Sequence, residues 1–136
     1  MKFVGKIVVT IALLLTAGVC AMAQSPKEGL RGELTEGKVA EVLVEFGDVK
    51  YSDTVSRTIT FKNNTDTPIA LLDYETTCRC VWLDLPKRAI AVGEEGVATI
   101  TYDSRGEWGS VGNYLSIETS NKSVEVAIWM SAEIVR

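Results

Sequence analysis

From position 41 to the C-terminus the apolar residues of this chain recur with a period of two. Val42, Val44 and Phe46 alternate with Leu43 and Glu45. Val55, Ile59 and Phe61 alternate with Ser56, Thr58 and Thr60, with Arg57 as the exception on the apolar side. A third run covers 69–74. Ala98, Ile100 and Tyr102 then alternate with Thr99 and Thr101, and Leu115 and Ile117 with Ser116 and Glu118. Val124, Val126, Ile128 and Met130 alternate with Glu125, Ala127, Trp129 and Ser131. Successive side chains of an extended strand point to opposite faces, so each run reads as a strand with one packed and one solvated face. Turn-forming residues separate the runs: the Asx and Pro residues of 63–68, Gly93 to Gly96, Gly106 to Gly109, and 120–123. About seven short strands without a strong helical period predict an all-β chain folded as an antiparallel β-sandwich over 41–136.

The chain before position 41 reads differently. Residues 1–23 have the form of a signal peptide, with Lys2 and Lys6 followed by an apolar run over 7–19. Ala21 and Ala23 then place small side chains for cleavage between Ala23 and Gln24. The run is shorter than the roughly 20 residues of a membrane span, so no span is expected after cleavage. Cys20 invites a lipoprotein reading, but a lipobox wants a small residue before the cysteine and Val19 stands there. Free export to the periplasm or beyond is therefore expected over lipid anchoring. Residues 24–40 are polar, contain three glycines and hold no sustained period. They read as a flexible spacer with at most a short helix near 33–38.

Charge and composition narrow the function. The formal net charge is −4, and removal of Lys2 and Lys6 takes it to −6. An acidic surface opposes nucleic acid and anionic membranes as partners. No histidine is present. That excludes Ser-His-Asp and Cys-His nucleophile pairs and His-ligated metal hydrolases. The turn from Gly93 to Gly96 holds two glutamates and no lysine, so it would repel phosphate. A non-enzyme without cofactor is the expectation.

The only distinctive chemistry left is the pair Cys78 and Cys80. Were both on one strand, they would share a face with Cα atoms about 6.5–7 Å apart. A disulfide prefers about 5.5–6 Å, so a bridge here requires a bend. The pair is open to several readings: a structural bridge or thiols, a redox couple, an intermolecular bridge, or two thiolate ligands for a soft metal such as Cu(I). Zinc would need further ligands, and no carboxylate shows ligand spacing around Cys78. Asp73 and Glu75 read as solvated strand residues.

Several short motifs occur in order: Phe46-Gly47-Asp48-Val49, Phe61-Lys62-Asn63-Asn64, Cys78-Arg79-Cys80 after Thr76-Thr77, Ile90-Ala91-Val92-Gly93-Glu94, Tyr102-Asp103 with Gly106 and Gly109, and 117–121. In this the chain resembles the DUF1573 family of secreted bacterial domains, over about residues 41–134. The resemblance implies an immunoglobulin-like sandwich and export, and no established function. The antibody-type disulfide is missing, so the likeness concerns strand topology alone. The family pattern has Cys-Gly-Cys-Thr where this chain has Cys78-Arg79-Cys80-Val81. It has Pro-Gly at Val92-Gly93, and an Asn-Thr-Gly type turn where this chain has Asn64-Thr65-Asp66.

Trp82 follows the cysteines and Trp108 lies in a glycine-flanked loop, and both are candidates for a protein or carbohydrate contact surface. Trp129 is expected to be covered by packing on the second face of the last strand. Asp53-Thr54-Val55 fits a tripeptide O-glycosylated on exported proteins in the bacterial phylum where such domains abound, which makes Thr54 a candidate modification site. The expected function is an exported, non-catalytic β-sandwich that binds a protein or cell-envelope component. The alternative is a thiol-redox or copper-handling protein centred on Cys78 and Cys80.

Overall fold

The computed structural model describes residues 30–136. The expected signal peptide, its cleavage site between Ala23 and Gln24, and Cys20 lie outside the described residues. Eight strands follow one another: β1 (Leu30–Leu34), β2 (Lys38–Lys50), β3 (Thr54–Asn63), β4 (Leu71–Thr76), β5 (Val81–Asp84), β6 (Glu95–Asp103), β7 (Gly109–Thr119) and β8 (Val124–Val135). They form two four-stranded sheets, ordered β1-β3-β6-β5 and β2-β8-β7-β4. The chain is thus an all-β sandwich, as the alternation predicts. No helix among the described residues is long and apolar enough to cross a membrane.

The core lies between the sheets and uses the alternating residues. Val42, Val44, Ile128 and Met130 come from one sheet, and Ile59, Phe61, Ile100 and Tyr102 from the other. Arg57, the apparent break in the pattern, lies over the Phe46 ring at 5.5 Å. Its guanidinium donates to the carbonyls of Glu45 and Phe46 at 3.3 Å, so it closes one edge of the core with its charge outside. Beside it, β2 shifts register between Glu45 and Asp48, at Gly47 with φ +75°. Glycine reaches that left-handed conformation without a Cβ clash, and a bulge results.

The N-terminal boundary differs from the sequence reading. Residues 30–40, expected as spacer with at most a helical turn, are β1, a tight turn and the start of β2. β1 pairs in parallel with β3, Leu30 opposite Ile59 and Leu34 opposite Asn63. β2 runs parallel to β8 over its length. The signal was hidden because β1 has only five residues and spends two apolar ones, Leu30 and Leu34, on the core. Gly32 sits between them because a Cβ there would stand 2.8 Å from the Phe61 ring. A glycine that reads as flexibility is in fact a close approach of backbone to an aromatic ring.

The connections divide between two ends of the sandwich. At one end, the loops after β3 and β5 are tied together by Asn63, which is fully buried. Its amide donates to the carbonyls of Thr67 and Ile90 at 2.9 and 2.8 Å. Its Oδ1 accepts from the Thr65 amide and hydroxyl at 2.8 and 2.7 Å. At the opposite end three crossovers pass between the sheets: β2 to β3 over 51–53, β4 to β5 over 77–80, and β6 to β7 over 104–108. Loops gathered at a sandwich end, positioned by rigid strands, are where such folds place function.

Candidate functional site

The crossover from β4 to β5 carries both cysteines. Residues 78–80 form a turn, closed by donation from the Val81 amide to the Cys78 carbonyl at 3.3 Å. The turn supplies the bend that an extended pair lacks: the Cα atoms of Cys78 and Cys80 are 5.1 Å apart, and a disulfide joins them. Two threonines hold the turn. The Thr76 hydroxyl accepts from the Cys78 amide at 3.2 Å and donates to the Cys78 carbonyl at 3.1 Å. The Thr77 hydroxyl accepts from the Tyr114 amide of β7 at 3.1 Å. On the other side the Asp103 amide of β6 donates to the Cys80 carbonyl at 2.8 Å. The cysteine turn is thereby stapled to both sheets.

Sequence spacing gave Cys78 no carboxylate neighbour, but the fold provides one. Glu107, in the crossover from β6 to β7, is half-buried like both cysteines, and its carboxylate lies within 4.8 Å of each sulfur. Buried Ser104 fixes that loop. Its hydroxyl donates to the Lys50 carbonyl at 2.6 Å and accepts from the Asp53 amide at 2.9 Å, and its carbonyl accepts from the Glu107 amide at 3.0 Å. The Asn113 amide of β7 reaches Cys80 Sγ at 3.7 Å and Met130 Sδ at 3.5 Å. Tyr102 is buried nearby on β6, and its hydroxyl has no hydrogen-bond partner among the described residues. Burial, reinforced by the negative charges of Glu107 and Asp103, pushes this phenol up to about 12.

Trp108 is 52% exposed as expected, stacked on Tyr51 at 4.7 Å with the Arg136 guanidinium 4.6 Å from its ring. Trp82 is 37% exposed and lies on β5, in the other sheet from Trp129. Thr54 opens β3 with its side chain exposed and its amide donating to Asp53 Oδ1 at 3.0 Å. Asp73 and Glu75 are solvated residues of β4.

Trp129 departs from expectation, for it is not covered. It is 49% exposed on the outer face of the second sheet. Register aligns it with Leu43 of β2 on one side and Tyr114 of β7 on the other. The Tyr114 and Trp129 rings meet at 4.5 Å, and Leu43 is 59% exposed. A transverse apolar row thus crosses three strands. The exposed carboxylates of Glu41 and Glu45 flank it on β2, and that of Glu75 on β4. Beside it a shallow groove of about 330 Å³ is lined by Asp73, Glu75, Glu118 and Glu125. Alternation on β8 alone could not reveal the row, because it depends on which residues of β2 and β7 stand opposite Trp129.

A family model described as "Protein of unknown function (DUF1573)" matches residues 38–134. The chain belongs to the DUF1573 family. No curated protein sequence matches it. Among solved structures it is similar to a protein of unknown function from Porphyromonas gingivalis W83, with a TM-score of 0.57 and 16% identity. That likeness covers 81% of this chain and 51% of the other, so the chain spans about half the length of that structure. The PapD-like domain 7 of human CEP192 is similar with a TM-score of 0.52 and 9% identity, over 77% of this chain and 85% of that one. The Vibrio cholerae VesB protease is similar with a TM-score of 0.53 and 12% identity, over 76% of this chain and 32% of that one. At such identities these likenesses show the sandwich fold and nothing of function.

Proposed function

We propose that this DUF1573 domain is an exported, non-catalytic binding module that holds a protein or cell-envelope component against the outer face of the β2-β8-β7-β4 sheet. The observation that carries the reading is the row Leu43–Trp129–Tyr114. An exposed tryptophan braced by a tyrosine and continued by a leucine offers a rigid contact area that loses little side-chain entropy on binding. The flanking carboxylates make the face selective for a partner with hydroxyl or cationic groups. The non-catalytic part of the reading rests on a chain without histidine. Its test is recovery of envelope material by the tagged domain from the native host, compared with Trp129→Ala. A component held by the parent and lost by the variant supports the reading. Equal recovery by both, with the variant folded, counts against it.

A second reading is favoured by a separate observation, the disulfide at the opposite edge of β7. Cys78 and Cys80 would act as a reversible thiol couple, half-buried and therefore reachable by a reductant. Counting thiols before and after mild reduction and reoxidation tests this. Two thiols that appear and disappear support the couple, and thiols that never appear refute it.

A further inference from the structure

We propose that the reduced cysteine turn, together with Glu107, forms a binding site for one divalent cation of the zinc class. The inference rests on reading Cys78 and Cys80 as a reversible couple, and adds to it a third ligand and a metal class.

The donors come from two crossovers that are independent in sequence and fixed in space. Thr76 and Thr77 hold the cysteine turn, and Ser104 holds the loop of Glu107. In the oxidised protein the disulfide holds the two sulfurs at bonding distance, and the Glu107 carboxylate lies within 4.8 Å of both. With metal–sulfur bonds of about 2.3 Å, tetrahedral geometry separates two sulfurs by roughly 3.8 Å. Sulfurs borne on Cα atoms 5.1 Å apart can open to that separation by side-chain rotation. The Asn113 amide at 3.7 Å from Cys80 Sγ is placed to support a ligating thiolate from outside.

Charge favours a cation over a free thiolate. Reactive thiolates sit in electropositive surroundings. Here the third group beside the sulfurs is the carboxylate of Glu107. Two thiolates and a carboxylate amount to three negative charges in one half-buried place, and a divalent ion removes most of that repulsion. The oxygen also selects the metal. Cu(I) takes soft sulfur ligands, whereas a mixed sulfur and carboxylate set suits Zn²⁺, with the fourth position left to water or a partner's side chain.

The disulfide gates the site. A dithiol reductant breaks the Cys78–Cys80 bond by giving up two electrons and two protons, and becomes a disulfide itself. Metal binding then displaces the two thiol protons to solvent.

The test uses the purified protein reduced with a phosphine, desalted without oxygen, and divided for thiol counting and titration with Co²⁺, then Zn²⁺. The expected result is two thiols per chain, thiolate-to-cobalt charge-transfer and tetrahedral d–d absorption at one Co²⁺ per chain, and bleaching by Zn²⁺. The oxidised protein should show none of this. Glu107→Gln should weaken Co²⁺ and Zn²⁺ by ~10-fold or more while leaving Cu(I) binding unchanged. Two free thiols with no cobalt spectrum, or a Glu107→Gln variant that binds Zn²⁺ as well as the parent, overturns the cation site and leaves the thiol couple standing. Failure to release two thiols overturns both.

Discussion

Trp129 rests against Tyr114 with ring centroids 4.5 Å apart, yet half of its surface stays open to solvent. A large aromatic held in this way contributes more to a contact surface than to the fold. Trp129→Ala is therefore expected to cost no more than about 1 kcal/mol of stability. Ile128→Ala, one residue away and fully buried, should cost about 2–5 kcal/mol. Urea unfolding of the two variants checks the contrast.

Asn63 joins two loops from inside the protein. Asn63→Ala removes four side-chain hydrogen bonds and leaves the buried Thr65 amide without its acceptor. A loss of about 2–3 kcal/mol is expected. Amide hydrogen exchange should show faster opening at 64–68 and 90–94 than at the cysteine end.

β1 belongs to the domain. Leu34→Ala empties a fully buried position and should cost about 2–5 kcal/mol. Gly32→Ala pushes a methyl group onto the Phe61 ring and should cost about 1–3 kcal/mol. Were this stretch a spacer, both variants would unfold with the parent's midpoint in denaturant.

Tyr102 sets an alkaline limit. Its phenol titrates near 10 in the unfolded chain and near 12 in the folded one, so the folded protein holds the proton more tightly. The contribution to stability is full below pH 10 and is lost as pH rises from 10 to 12. Tyr102→Phe should abolish that decline. It should be neutral or stabilising at pH 7, because the buried hydroxyl it removes has no partner among the described residues. Denaturant unfolding at several pH values measures both effects.

The runs that became β2, β3, β4, β6, β7 and β8 were legible because apolar residues recur along them between Asx, Pro and Gly turns, whereas the four residues of β5 are too few to show a period. β1 was not, since five residues with one glycine give too short a period to separate from polar linker. Cys78 and Cys80 were legible as a pair, but their turn was not, because it is set by the Thr76 hydroxyl bonding to Cys78 and the Thr77 hydroxyl bonding to β7. Glu107 could not be found from spacing at all. It meets the cysteines only because two crossovers between the sheets end at the same place. The exposure of Trp129 was not legible for a related reason: exposure of an outer face depends on what covers the sheet, which no single strand encodes.

Contact of a partner with the outer face around Leu43 and Trp129 can be read at a single position. A photo-crosslinking residue introduced at Leu43, in the native host, reads this directly, with the same residue at Val97 on the opposite sheet as reference. Val97 is comparably exposed, so accessibility is matched. Position 43 should give a discrete adduct that is absent from position 97 and lost when Trp129→Ala is added. Adducts from 97 alone, or the same adducts from both positions regardless of Trp129, would contradict it.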